Sequence, residues 1–433
     1  MSQYKFSNHF YGKGLLHTPE GVRDVYNDEY AKKLYVQDNI HQVLHLYGFK
    51  DIQTPTFEFF DIFNKERGTI AANEMYKFFD REGNTLVLRP DITPSIARCA
   101  AKYFKEEELP IRLCYIGNTF LNNSSYQGKL KETTQMGAEL INDDSSDADA
   151  EMIALTIECL KKAGLKEFQV EVGHADFFNG LVEEAEFDEE EVEQLKALIS
   201  SKNLFGVEEL VSQKEISADL KEIFLKLPEL FGNQDNLTYA KEKTKNERSQ
   251  RAIGRLEKLY SILDTYGLSN YVTFDLGMLS KYNYYTGIIF NAYTYGNGEP
   301  VVKGGRYDNL VQQFGKEAPA VGLAIVLDQL MLALSRQNIE VPIDQNNTLI
   351  LYKSTYRKIA IDLASQFRND GINIELIRKS SKRDLSEYME YAKRDNVGGI
   401  LYLEDENTVH VINILDGSTQ VAKLSELIQG LER

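Results

Sequence analysis

The sequence predicts an α+β protein: a largely antiparallel sheet core carrying a helical insertion, followed by a small C-terminal α/β domain. Three observations carry this. Short apolar or alternating runs recur along the first two thirds without a helix between each pair, which excludes a doubly wound sheet. The stretch from about 177 to 266 loses strand patterning and turns helical, and from Thr348 onward strand and helix patterns alternate. In order, residues 27–46 carry Leu34, Val36, Ile40, Val43, Leu44 and Leu46 at helical spacing, with Lys32, Lys33, Gln37 and Asp38 opposite, a long amphipathic helix. Tyr47-Gly48-Phe49 turns the chain into a short strand ended by Pro55. Strands follow at 76–79, 86–88, 111–116, 139–141, 168–172, 271–274, 287–292 and 320–325, with helices near 95–104, 148–163 and 327–337.

Within the insertion, Glu183, Glu184, Glu186, Asp188, Glu189, Glu190, Glu191 and Glu193 face only Lys196, a run that reads as a solvated helix face. Further helices are expected at 220–231 and 251–266. After a polar linker containing Pro342, strands at 349–352, 372–376, 399–403 and 409–414 interleave with helices at 356–369 and 382–394, giving a mostly parallel sheet. The domains are therefore 1–336, with the insertion at about 177–266, a linker over 337–347, and 348–433.

Composition narrows the function. The 433 residues hold 49 Lys and Arg against 66 Asp and Glu, a formal charge of −17, which opposes wrapping a nucleic-acid backbone. No run approaches the ~20 apolar residues of a membrane span, and Met1-Ser2-Gln3-Tyr4-Lys5 lacks a secretory signature, so a cytoplasmic location is expected. Cys99, Cys114 and Cys159 have no CxxC spacing and read as buried small residues, not a disulfide framework or zinc site. Of the six histidines, His41 and His45 share a helix face, but the sequence brings no third ligand near them, and no metal or cofactor is expected.

Four stretches imply a pocket. Leu88-Arg89-Pro90-Asp91-Ile92-Thr93-Pro94 delivers a carboxylate and a hydroxyl ahead of a helix. Tyr115 to Asn123, then Glu132-Thr133-Thr134-Gln135-Met136-Gly137-Ala138-Glu139, reads as strand, loop and strand. Lys281-Tyr282-Asn283-Tyr284-Tyr285-Thr286-Gly287 is dense in tyrosine. Gly304-Gly305-Arg306-Tyr307-Asp308 leads to Pro319-Ala320-Val321-Gly322. Taken singly they are weak: Gly304-Gly305 alone reads as a turn, the tyrosines as core, and Arg306 with Asp308 as a structural ion pair.

In this order, with Gly21-Val22-Arg23-Asp24 ahead of them, the stretches resemble the histidyl-tRNA synthetases of class II. The resemblance implies a class II synthetase-like core and an anticodon-binding-like C-terminal domain, and covers nearly the whole chain. It also implies departures. Amino-acid activation needs fixed cations where charge develops on phosphate. The family's phenylalanine–arginine pair is Phe120-Leu121 here, with Asn123 for an acidic residue two positions on. The arginine ending the third motif corresponds to Gln329, and an arginine upstream of the tyrosine pair to Ser280. Losing one such preorganised donor costs about 3–4 kcal/mol of transition-state stabilisation.

The amino-acid half is kept. By the same resemblance Asp91 holds an α-amino group, Thr93 supports it, Gln135 and Glu139 face the substrate, and Tyr284 and Tyr285 lie beside them, a set suited to both nitrogens of histidine. Asp91 is one methylene shorter than the family's glutamate, and Lys281 is a candidate for the charge the lost arginines supplied. A synthetase-like chain with a histidine pocket and no adenylation groups resembles the regulatory subunit of ATP phosphoribosyltransferase. That resemblance implies a non-catalytic chain, a short catalytic partner subunit in a hetero-oligomer, histidine as feedback effector, a homodimer through the first helix and the strand at Pro55, and no tRNA. Two alternatives stay open: a divergent active histidyl-tRNA synthetase, and a tRNA-binding module. Against the second, residues 347–433 carry 6 Lys and 6 Arg against 6 Asp and 7 Glu, with Arg378-Lys379-Ser380-Ser381-Lys382-Arg383 the one basic candidate surface.

Overall fold

A computed structural model describes residues 16–63, 70–123, 129–279, 284–343 and 347–431. The stretches holding Met1–Lys5, His9, Ser280 and Lys281 lie outside the described residues. The chain divides into two compact units, one built on Lys33–Val341 and the other on Pro342–Arg433 with Tyr26–Lys32.

The first unit takes in α1 (Asn27–Leu46) from Lys33 onward, then β1 (Lys50–Asp51), β2 (Phe57–Phe59), β3 (Lys77–Phe79), β4 (Thr85–Leu88), α2 (Thr93–Tyr103), β5 (Ile111–Phe120), β6 (Glu132–Ile141), α3 (Ser146–Lys162) and β7 (Phe168–His174). Helices α4 (Ala175–Glu184), α5 (Glu189–Ser200), α6 (Leu204–Ser212), α7 (Ala218–Lys226), α8 (Asp235–Lys243) and α9 (Glu247–Thr265) follow, with the two-residue β8 (Phe231–Gly232) among them. The unit closes with β9 (Val272–Asp275), β10 (Ile288–Thr294), β11 (Val302–Arg306), β12 (Ala320–Val326) and α10 (Leu327–Arg336). Its main sheet has the order β1-β5-β6-β12-β11-β10-β7-β9-β8. All its pairs are antiparallel except β1–β5 and β7–β9.

Strand alternation sorts this sheet into two chemistries. Met136, Ala138 and Leu140 of β6, Val321, Leu323 and Ile325 of β12, and Ile288, Phe290 and Ala292 of β10 are buried in one large core with residues of α1, α3 and α9. Their neighbours in sequence, Gln135, Gly137, Glu139, Gly322 and Ala324, therefore occupy the opposite face. That face packs a smaller cluster containing Ile92, just before α2, and Ile96 within it, with Tyr115, Tyr284 and Tyr307. Proline in the first turn of α2 suits a helix start, and its buried Ser95, Ala97, Ala100 and Ala101 are small enough to let the helix lie close.

In the second unit, β13 (Asn347–Tyr352), α11 (Arg357–Asn369), β14 (Asn373–Arg378), α12 (Leu385–Arg394), β15 (Gly399–Leu403), β16 (Thr408–Asn413), β17 (Thr419–Lys423) and α13 (Leu424–Leu431) form a sheet of order β14-β13-β15-β16-β17. The expectation of a mostly parallel sheet is corrected here. Only β13–β14 and β13–β15 are parallel, whereas β15–β16 and β16–β17 are antiparallel. The chain between β15 and β16, and between β16 and β17, is too short for a crossover helix, and such connections force hairpins.

Candidate functional site

The face of the sheet opposite the large core converges on Glu139. Its side chain is 1% exposed. Thr93 Oγ1 donates to Glu139 Oε1 at 2.8 Å, and the Tyr307 hydroxyl donates to Oε2 at 2.5 Å. Asp91, also buried, accepts from the backbone N–H groups of Ile92 at 2.7 Å and Thr93 at 3.3 Å through Oδ1. Its Oδ2 accepts from the Tyr284 hydroxyl at 3.2 Å. Tyr285 sits beside Tyr284, ring centroids 4.8 Å apart, and Tyr307 meets Tyr284 edge-on at 5.9 Å. Asp91, Thr93, Glu139, Tyr284, Tyr285 and Tyr307 are thus drawn from four separate sequence stretches into one cluster.

The strand register explains why glycine is needed beneath these groups. Glu139 pairs with Gly322, and a Cβ at 322 would lie 1.6 Å from Glu139 Oε2, so the carboxyl rests directly on backbone. Tyr285 likewise covers Gly305, where a Cβ would lie 2.7 Å from its ring. Reading Gly304-Gly305 as a turn is corrected: both lie inside β11, and close approach of Phe290 to Gly304 and Tyr285 to Gly305 is what excludes a side chain.

Gln135 lies on the same face of β6, opposite Gly117. Its Oε1 is buried and has no hydrogen-bond partner. Tyr115 pairs with Gly137, over which its ring lies, and its buried hydroxyl has Thr93 near it but no well-aligned hydrogen bond. Unsatisfied buried polar atoms cost free energy, and two on one pocket floor mark where a polar ligand would be met. Lys303 completes the face, opposite Ala324 and Asn291.

Burial dominates the electrostatics. It pushes the Glu139 carboxyl up to about 8, opposed by the hydrogen bonds from Tyr307 and Thr93 and reinforced by Asp91. Burial also raises Asp91, against the backbone N–H groups, the Tyr284 hydroxyl and the positive charge of Lys303. The Tyr115 and Tyr307 phenols are pushed well above their ordinary range, first by burial and then by the neighbouring carboxyls. The site as it stands is a polar, poorly solvated cluster with two acidic groups.

Of the positions read as departures, Leu121 follows β5, its N–H donating to Lys131 O at 2.8 Å. Alternation from Tyr115 and Gly117 puts it on the pocket face. Gln329, half-buried near the start of α10, accepts from Asn297 through its backbone carbonyl at 2.9 Å. Ser280 and the candidate cation Lys281 fall outside the described residues. Arg306 is on the other face: its guanidinium, 2% exposed, pairs with Asp149 at 2.6 Å and with Asp308 at 3.2 Å. Asp149 also holds Arg255 at 2.6 Å. Arg255, Arg306, Asp308 and His174 border a separate cleft of about 420 Å³. Arg89 is structural, donating to Asn118 O at 2.8 Å and Thr54 O at 2.9 Å, and Arg98 pairs with Glu58 at 2.7 Å.

Sequence reasoning passed over Tyr115, Tyr307 and Lys303. Tyr307 was legible as the residue that must fall on the same face as Gly305 once Arg306 is assigned to the other. Tyr115 had no signal beyond an apolar strand.

A family model described as Histidyl-tRNA synthetase matches residues 21–330. Proteins named ATP phosphoribosyltransferase regulatory subunit from Acetivibrio thermocellus and Ruminiclostridium cellulolyticum are each 41% identical to this chain. The first match covers 96% of this chain and 99% of the relative, the second 95% and 98%. A crystal structure from Bacillus halodurans, described as an ATP phosphoribosyltransferase regulatory subunit/histidyl-tRNA synthetase, has 33% identity and a TM-score of 0.80 over 90% of this chain and 98% of its own. A histidyl-tRNA synthetase from Nostoc, 19% identical, has a TM-score of 0.78 over 96% of this chain and 99% of its own, a likeness of fold alone.

Proposed function

The chain belongs to the ATP phosphoribosyltransferase regulatory subunits, a branch of the histidyl-tRNA synthetase fold, and from that premise we propose that its buried polar pocket binds free histidine as a feedback signal. Its role is regulatory, in histidine biosynthesis, and its partner is the catalytic subunit of ATP phosphoribosyltransferase. The domains follow the same reading: a synthetase-like core over 1–336 with the insertion at about 177–266, a linker over 337–347, and an anticodon-binding-like domain over 348–433.

The observation that carries the pocket is the pair of buried polar atoms without a well-aligned hydrogen bond, Gln135 Oε1 and the Tyr115 hydroxyl, on the floor that also holds Asp91, Thr93 and Glu139. In the proposed complex the ammonium group of histidine meets Asp91 and Gln135. One imidazole nitrogen donates to Glu139, with Tyr115 serving the other. Tyr284 and Tyr285 wall the ring, and Lys303 supplies the cation for the carboxylate. A plain apolar side chain would give Tyr115 no partner and add none to the Thr93 and Tyr307 bonds that Glu139 already has, which is the basis of selectivity.

Leu121 and Gln329 support a non-catalytic chain, because neither can meet a phosphate with positive charge where the synthetase resemblance implies arginine. Ser280 fits the same reading from sequence. Near-neutral charge in residues 347–433 favours no role in tRNA binding. Among the described residues no helix is long and apolar enough to cross a membrane, in keeping with a cytoplasmic place beside the biosynthetic enzymes. A homodimer core is supported by exposed Phe57, Phe59, Phe78 and Phe79 on β2 and β3, near the proline strand that the resemblance assigns to the dimer seam. Histidine would bias packing in this core and hence the partner's activity, a coupling of about 1–3 kcal/mol that must act equally on histidine affinity.

Titration calorimetry tests this. Histidine is expected to bind the wild type, alone or with the catalytic subunit, and Glu139→Ala is expected to weaken it at least a hundredfold. Absence of binding in both settings overturns the pocket. Histidine-dependent exchange of pyrophosphate into ATP overturns the non-catalytic assignment.

A further inference from the structure

Outside the pocket, the fold assembles a second cluster that the sequence does not announce. His41 and His45 are one turn apart on α1, their ring centroids 4.2 Å from each other. The sequence offers this pair no third ligand, and the structure corrects that: the parallel β1–β5 edge brings Asp51 and Cys114 to it. His41 Nε2 lies 2.6 Å from Asp51 Oδ1, His45 Nε2 lies 2.9 Å from Oδ2, and Cys114 Sγ lies 3.5 Å from Oδ1. All four donor atoms fall within 4.8 Å of one another. Asp51 pairs directly with Cys114 in the strand register, which fixes their separation.

We propose that His41, His45, Asp51 and Cys114 form a binding site for a divalent transition-metal ion, with zinc the best fit. Zinc held tetrahedrally at about 2.0–2.3 Å needs donor atoms roughly 3.3–3.8 Å apart, which small side-chain rotations reach from the separations here. Two imidazoles and a thiolate select zinc over magnesium or calcium, which take oxygen ligands. The charges balance, since a carboxylate and a thiolate neutralise the dication while both imidazoles bind as neutral donors. The Cys114 thiol, raised to about 12 by burial and by Asp51, is protonated in the free protein. Binding therefore forms a metal–sulfur bond and releases the thiol proton to solvent. In the single chain Asp51 and His45 are exposed, and Cys114 alone is buried. Bound metal would pin the C-terminal half of α1 to the sheet edge.

The test uses the full chain, stripped with chelator and titrated with Co2+ and then Zn2+. One equivalent of Co2+ is expected to bind with a thiolate-to-cobalt charge-transfer band, which Zn2+ removes and millimolar Mg2+ does not. Cys114→Ser is expected to abolish the band, and His45→Ala, at an exposed position that tolerates truncation, to weaken Co2+ binding at least tenfold. Calorimetry of Zn2+ in buffers of different ionisation enthalpy is expected to report release of one proton. Lack of saturable Co2+ binding overturns the proposal, as does a band that survives Cys114→Ser or an affinity unchanged by His45→Ala. Should Cys114→Ser fail to fold, the His45→Ala arm and Asp51→Asn decide on the same criterion.

Discussion

Glu139 concentrates the conflict between stability and recognition in one side chain. Its carboxyl has a folded pKa of about 8 against an ordinary 4.5, so the unfolded chain releases this proton first as pH rises. A raised folded pKa gives stability that is fully present below the unfolded value and lost as pH climbs through the folded one. Between about pH 5 and 7.5 the folded state keeps roughly one more proton than the unfolded state, and stability falls by about 1.4 kcal/mol per pH unit from this group. Glu139→Gln removes that dependence. Urea unfolding is expected to show the variant gaining about 2–3 kcal/mol on the wild type between pH 5.5 and 7.5, and parallel pH profiles would refute the account. At this scale the sequence revealed Asp91, Thr93, Glu139, Tyr284 and Tyr285 because each sits in an ordered motif. It hid Tyr115 and Tyr307, since a tyrosine becomes a pocket group only through register and the glycine beneath its neighbours. His41, His45, Asp51 and Cys114 were hidden for a related reason: 63 positions separate Asp51 from Cys114, and only the parallel strand pair closes that gap.

At the scale of the element, the acidic run shows how local chemistry absorbs charge. Asp188 caps α5, accepting from Glu191 N at 2.9 Å, while Glu191 Oε2 accepts from Asp188 N at 2.9 Å, a reciprocal capping box. Glu189 and Glu190 fill the first turn, where the helix dipole favours negative charge. Glu191 and Glu193 also meet Lys214 at 2.6 Å and Lys196 at 2.7 Å. The solvated face read from sequence is therefore also a helix start. Asp188→Ala is expected to destabilise α5 by about 1 kcal/mol, read as faster amide exchange across Glu189–Ser200, whereas Glu190→Gln at an exposed position leaves exchange within twofold. Equal effects from both would argue for bulk charge instead of capping. Long elements such as α1 were legible because their periodicity spans many turns. Strand β11 was not, since Gly304 and Gly305 carry no hydrophobic signal and owe their place to Phe290 and Tyr285 above them.

At the scale of the whole molecule, apolar surface that survives in the open on a chain of net charge −17 calls for explanation. The small sheet β2-β4-β3 concentrates such surface. Phe57 and Phe59 are each 54% exposed and Phe79 73%, with Phe57 and Phe78 in edge contact at 5.9 Å. Four phenylalanines on one three-stranded sheet exceed the scattered exposure normal for a monomer, and aromatic residues of this kind dominate interface energetics. A second copy of the chain is the occupant that the proposed dimer supplies. Replacing Phe57 and Phe79 together by Asp sets charge into the seam without disturbing the core, because both side chains already face solvent in the single chain. Sedimentation at micromolar concentration is expected to move from twice the 49.5 kDa chain mass to the single mass, with far-ultraviolet dichroism unchanged. A wild type that sediments as a monomer, or a variant that still dimerises, would remove this surface from the assembly. If the pocket reads histidine through dimer packing, the monomeric variant is also expected to bind histidine with altered affinity, because coupling between effector and assembly acts in both directions.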